Sequence, residues 1–267
     1  MNEAANVMSD LAAEGDAVDQ LVCDLEPSGW ATPTPAPDWT VAHQIAHLAA
    51  TFRMATLSAA DPEAFTAMAA GLGSDFDANV RRALGQFVND PPEVLLARWR
   101  EERAAAGKAL GALPPDRLVP WLVRPLPAAT LAAAGLMELF GHGQDIADAL
   151  GIRRVHTDRL LHLVGFAVRT WDFGYLARGL EVPAAALRFE IVGPSGALWE
   201  FGPDDSTERI TGSAVDFCLL VTRRRHHEDL NVLAQGETAR GWLEVAQAYR
   251  GPAGAGRRPG QFEHRES

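Results

Sequence analysis

Apolar residues recur every three to four positions through the first 180 residues, and near residue 185 the period drops to two. That switch constrains the fold more than any other feature. A period near 3.6 buries one face of a helix and a period of two buries one face of a strand, and neither pattern serves as the other. The chain is therefore expected to be mainly α, a helical bundle followed by a smaller α+β domain. Its 267 residues are enough for one large and one small domain.

Val7, Met8, Leu11, Val18, Leu21, Val22 and Leu25 predict a first helix near 3–26, closed by Pro27 and Gly29. Pro33, Pro35 and Pro37 hold the next segment out of helix, because each biases its predecessor to an extended backbone. Thr40 is a good N-cap for a second helix to about residue 58, with a stripe of Val41, Ile45, Leu48, Phe52 and Ala55. His47 falls beside that stripe. Residues 61–90 hold short helical pieces without clear boundaries, and a helix follows from Pro92 to Leu110. Pro114 and Pro115 stop it, and 116–127 reads as a connection. Further helices are expected at 130–150, ended by Gly151, and at 157–180. Segments of this size joined by Pro and Gly loops suit a bundle.

Leu187 to Val192 and Ala197 to Phe201 alternate apolar and polar around the turn Gly193-Pro194-Ser195-Gly196, which predicts a β-hairpin. Ser213, with Asp216 three residues on, opens a helix through Val221, and a last helix covers about 238–249. The expected division is a bundle over 1–182, an α+β domain over 183–252 and a disordered tail over 253–267, which is rich in Gly, Pro and charge.

A formal net charge of -11 argues against nucleic-acid binding, which depends on Lys and Arg at phosphates. No apolar run is long enough for a membrane span, and Met1 to Asp10 has neither the basic nor the apolar region of a secretory signal, so a cytoplasmic protein is expected. Cys23 and Cys218, the two cysteines, form no metal motif and read as buried small hydrophobes.

Glu138 and His142 stand four apart on the predicted 130–150 helix, among Leu131, Ala134, Gly135, Ile146 and Ala149. A carboxylate and an imidazole on so apolar a face need a partner, which a divalent metal or a simple hydrogen-bonded core pair would supply. Gly141 and Gly143 flank His142 at roughly 1 kcal/mol each relative to Ala, a cost explained by close approach of another helix or a ligand. His47 can join from a neighbouring helix. Two imidazoles and one carboxylate leave coordination positions open, as catalytic rather than structural sites do.

These elements resemble a known family. "DWTVAHQIAHLA" (38–49) is similar to the W-[ST]-V-x-x-x-x-x-H-L element of the DinB-like metalloenzyme bundles, in particular the mycothiol-dependent maleylpyruvate isomerase group. "MELFGHGQDIADALG" (137–151) is similar to its E-x-x-x-H-x-x-D-I-x-x-A-L-G element. "GSAVDFCLLVTRRR" (212–225) and "GWLEVAQAYRG" (241–251) resemble its sterol-carrier-like C-terminal domain.

The resemblance implies a four-helix-type bundle in which His47, Glu138 and His142 bind Zn²⁺ or another divalent transition metal. It places on Arg224 the arginine that handles a substrate carboxylate, although a run of three arginines also suits a solvated helix end. Asp145 either orients a ligand imidazole or caps a neighbouring helix. His43 stands where the family has an acidic or polar residue, and is either a partner of the site or a first-turn surface residue. His226 and His227 are read as surface residues, because neighbours on an extended chain point oppositely.

The activity implied is a metal-dependent transferase or isomerase, with mycothiol as a low-molecular-weight thiol cosubstrate and a small electrophile as substrate. Lys108 is the only lysine among 24 basic residues, a bias toward GC-rich codons that accords with bacteria making mycothiol. The alternatives are a metal-assisted hydrolase or lyase using water, and a non-catalytic protein that binds an apolar small molecule.

Overall fold

A computed structural model describes residues 3–122 and 124–262. Contacts divide it into two compact units, Met1–Arg154 and Val155–Ser267.

The first unit contains helices α1 (Glu3–Val22), α2 (Pro27–Trp30), α3 (Val41–Ala60), α4 (Pro62–Ala70), α5 (Phe76–Leu84), α6 (Pro92–Gly111) and α7 (Ala128–Leu150). A two-stranded hairpin, β1 (Leu118–Val119) and β2 (Leu126–Pro127), precedes α7 and occupies the segment expected to be an irregular connection. The four long helices make the bundle: α3 packs on α6 and α7, and α1 packs on α7 and α6. Val18, Ile45, Leu48, Trp99, Leu139, Phe140 and Ile146 form its centre.

The first helix stops at Val22, four residues short of its expected end, and Pro27 opens α2 instead of ending α1. Proline fits the first helical position, where no N–H is needed. Cys23 thus lies just past the last turn of α1, off its apolar stripe. It is exposed, against expectation, whereas Cys218 is buried as expected.

The second unit contains α8 (Leu160–Arg169), α9 (Phe173–Leu176), α10 (Ala214–Val221) and α11 (Glu237–Val245) around a four-stranded sheet. Strands β3 (Arg188–Val192), β4 (Leu198–Phe201), β5 (Arg209–Ser213) and β6 (Val232–Gln235) lie in the order β4-β3-β5-β6. The expected hairpin pairs β3 with β4, Phe189 opposite Phe201, while β5 runs parallel to β3 and antiparallel to β6. Phe189, Phe217 and Trp242 form an aromatic core with ring centroids 5.4 to 6.0 Å apart.

Two expectations change in this unit. The single helix over 157–180 is broken at Thr170, whose hydroxyl donates to the carbonyls of Phe166 and Ala248. Residues 155–182, expected with the bundle, group with the second unit because the buried face of α8 (Leu160, Leu163, Val164) packs on α10 and β4. An apolar stripe announces that a helix is buried and is silent about its partner.

Arg188 keeps the polar face of β3 with Glu190 and is buried there by Glu190, Glu200 and Asp204. Of the expected disordered tail, residues 263–267 lie outside the described residues. Residues 253–262 form no helix or strand, yet the Gly260 N–H donates to Asp229 Oδ1 at 2.8 Å and Arg225 stacks on Phe262 at 3.8 Å.

In the bundle, Arg154 ties α1 to α7: its guanidinium bonds Glu14 and donates to the Phe140 carbonyl at 2.9 Å. Both charged side chains are within 6% of full burial. Breaking one half of such a pair leaves an uncompensated charge. Glu14→Ala is expected to destabilise the protein by about 3–5 kcal/mol in denaturant melts, and adding Arg154→Met to recover a large part of that loss.

Candidate metal centre

Residues on α3 and α7 build the site. Thr40, in extended conformation, starts α3, and its backbone N–H donates to His43 Nδ1 at 3.3 Å. The Thr40 hydroxyl lies 2.9 Å from the same nitrogen. His43 is therefore engaged in closing the helix start and stands outside the ligand cluster. One turn on, His47 faces α7.

On α7, Glu138 and His142 share a face as their spacing requires. Glu138 Oε2 lies 3.2 Å from His142 Nε2 and 3.4 Å from His47 Nε2. The ligand atoms of the three residues all fall within 4.8 Å of one another. Their side chains are 22%, 21% and 14% exposed for His47, Glu138 and His142, so solvent reaches the cluster. The structure thus brings together the three residues singled out as ligands.

Burial opposes charge on the Glu138 carboxyl. Hydrogen bonding to His142 and then His47, with the attraction of both rings, outweighs it and holds the carboxyl below its ordinary range.

The fit to a metal ion rests on donor chemistry. His142 Nδ1 lies 2.5 Å from Gln44 Oε1, Gln44 Nε2 donates to Thr34 Oγ1 at 2.9 Å, and Thr34 Oγ1 donates to the Trp39 carbonyl at 2.9 Å. The one hydroxyl proton of Thr34 goes to Trp39, so Thr34 must accept from Gln44. That orients the amide with its oxygen toward His142 and puts a proton on Nδ1. In the neutral ring Nε2 then carries a lone pair aimed at a carboxylate, which is stable only if a second proton or a cation lies between them. Separations of 3.2 and 3.4 Å also match the roughly 3.3 Å between neighbouring ligands of a tetrahedral ion with bonds of about 2.0–2.1 Å. The residues fit a divalent transition metal.

Gln44 and Thr34 were not singled out from the sequence, and Trp39 entered only as the first residue of the W-[ST]-V element. Gln44 was legible in part: it lies three residues after Val41 and four before Leu48, on the buried stripe, and a fully buried amide requires partners. Trp39 stacks on His142 at 5.9 Å and tilts over His47 at 5.4 Å. Its loop is closed by a Pro33–Thr40 bridge and by the Thr34 N–H donating to the Trp39 carbonyl at 2.8 Å, with Asp38 in left-handed conformation at φ 63°.

Asp145 is buried on α7 and is not one of the three clustered ligands. Arg224 belongs to the second unit, where its Nη1 donates to the Thr222 carbonyl at 2.6 Å. Of the three arginines, Arg223 takes φ 58° and buries an Nη1 with no hydrogen-bond partner among the described residues. His226 and His227 do not point oppositely: a 3-10 turn, not an extended chain, sets their rings 4.4 Å apart. One nitrogen of each is engaged locally, His226 Nδ1 by the Glu228 N–H and His227 Nε2 by Glu244, each at 3.3 Å, and with Glu228 they form a second group whose ligand atoms lie within 4.8 Å of one another.

A family model described as the mycothiol maleylpyruvate isomerase N-terminal domain matches residues 11–147, which include all three clustered residues. The chain belongs to this family. Two proteins from Mycobacterium tuberculosis strains, both described as uncharacterized, are each 42% identical to it over 257 residues. The match spans 96% of this chain and 100% of theirs. Crystal structures of a mycothiol-dependent maleylpyruvate isomerase and of an alanine mutant share the fold. Each aligns with a TM-score of 0.55, over 81% of this chain and 88% of that one, at 13% and 12% identity. Among the described residues no helix is long and apolar enough to cross a membrane.

The glycine after His142 has a packing role. A Cβ on Gly143 would sit 2.8 Å from Val18 Cγ2 of α1 and 3.1 Å from Arg154 Nη1. Gly143→Val is expected to lower stability by about 1–3 kcal/mol in thermal or denaturant melts, as overpacking does.

Proposed function

We propose that this member of the family is a metal-dependent enzyme that uses mycothiol as cosubstrate to isomerise a small electrophile or to transfer sulfur to it. The observation that carries the proposal is the convergence of His47 and His142 on the Glu138 carboxylate, with Gln44 presenting His142 through Nε2. His47, Glu138 and His142 are the proposed ligands of Zn²⁺ or a similar ion. A bound ion would lower the pKa of a thiol or polarise a carbonyl oxygen at its open positions.

The chain's own groups supply the rest. The partial exposure of the three side chains leaves room for a thiol and a substrate, and Trp39 shields one side of both imidazoles. With a cis-alkene conjugated to carbonyls, the thiolate adds to one alkene carbon and the electron pair moves onto the carbonyl. The new single bond rotates, and elimination returns the thiolate and the isomerised alkene. With an epoxide or other leaving group the same attack gives a thioether. Arg224 is proposed to hold a substrate carboxylate, and Asp145 to orient a ligand imidazole or to cap a neighbouring helix. A cytoplasmic location is part of the same proposal.

Elemental analysis of the purified protein is expected to find about one equivalent of a transition metal. His47→Ala and His142→Ala should lose it together with activity while keeping helical circular dichroism. Turnover of a conjugated cis-alkene should require added mycothiol. Turnover unchanged without thiol would instead indicate hydrolase or lyase chemistry, and a fully active metal-free variant would overturn the proposal.

A further inference from the structure

We infer that Gln44 is a positioning residue: it fixes His142 as the Nδ1–H tautomer and so makes Nε2 the ligand atom. The consequence for metal binding rests on the function proposed above, whereas the tautomer assignment stands on the hydrogen bonds alone.

Gln44 is fully buried, and both ends of its amide are committed. Its oxygen meets His142 Nδ1 at 2.5 Å and its nitrogen meets Thr34 Oγ1 at 2.9 Å. A free glutamine amide turns over readily, since oxygen and nitrogen are nearly the same size. Here it cannot turn without setting its oxygen against a hydroxyl whose proton is already given to the Trp39 carbonyl. The orientation is thus imposed from the loop preceding α3. The loop is in turn held by backbone bonds from Thr34 to Trp39 and from Val41 to Thr32.

Trp39 closes the circuit, because the residue whose carbonyl anchors Thr34 also lays its indole on the ring that Gln44 orients. A ligand imidazole commonly gives its second N–H to a carboxylate, carbonyl or water that sets its angle and basicity. In this chain a side-chain amide takes that part, and a threonine one loop away determines which face of the amide is presented.

Two measurements test the assignment, one of them independent of metal. In metal-free protein, ¹⁵N–¹H correlation spectra of the His142 ring should show a preference for a proton on Nδ1, whether or not Nε2 also carries one. Gln44→Leu should lose that preference with unchanged helical circular dichroism. Zn²⁺ affinity, measured by chelator competition, is expected to fall about 10–100-fold in Gln44→Leu. It should be largely retained in Gln44→Glu, which keeps an acceptor at the same place. Thr34→Val, which removes the hydroxyl and leaves the amide, should give a smaller loss.

Wild-type affinity in Gln44→Leu, or an unprotonated Nδ1 in the wild type, would overturn the inference. A wild type that takes no metal but shows the Gln44-dependent tautomer would remove the proposed function and leave the tautomer assignment in place.

Discussion

The first unit is organised around one carboxylate. Glu138 sits on a helix whose buried residues are mostly apolar, where an uncompensated charge is costly. Its compensation comes from one imidazole on its own helix and one from α3. Helix α3 must therefore pack on α7 with His47 turned toward it, and α7 must accept close neighbours. Gly143 meets that second requirement by admitting Val18 and Arg154 where a larger residue would collide.

A cluster of two rings and a carboxylate is also a question of which atoms carry protons. The loop between α2 and α3 answers part of it. Three prolines keep the loop out of helix, and Thr34 and Trp39 lock it by hydrogen bonds to each other. Trp39 is then set over both imidazoles and Thr34 beneath Gln44. A single rigid turn thus serves shielding and orientation together, which favours a site prepared before any ligand arrives.

The second unit is built on different terms. Its sheet wraps an aromatic core of Phe189, Phe217 and Trp242, and Trp242 satisfies its indole N–H on the Trp171 carbonyl at 2.9 Å. Arg188 is buried at the start of β3 because three carboxylates surround its guanidinium. Alternation assigns its face correctly and is silent about its burial, which depends on partners supplied by β4 and the loop after it.

Helix existence, the β3–β4 hairpin and the shared face of Glu138 and His142 are local properties, governed by periods of 3.6 and two residues and by capping and turn chemistry at Thr40, Gly151 and Ser213. They were legible from the chain alone, and so, through motif resemblance, was the pairing of that face with His47. Only the tertiary structure decided what those faces meet. It placed α8 against α10, opened α2 at Pro27, paired β1 with β2 and brought His226 beside His227 at a tight turn. It also revealed the path from His142 through Gln44 to Thr34, which spans 98 and then 10 residues of sequence. Periodicity records that a residue is buried, but the identity of its partner depends on packing between segments far apart in the chain.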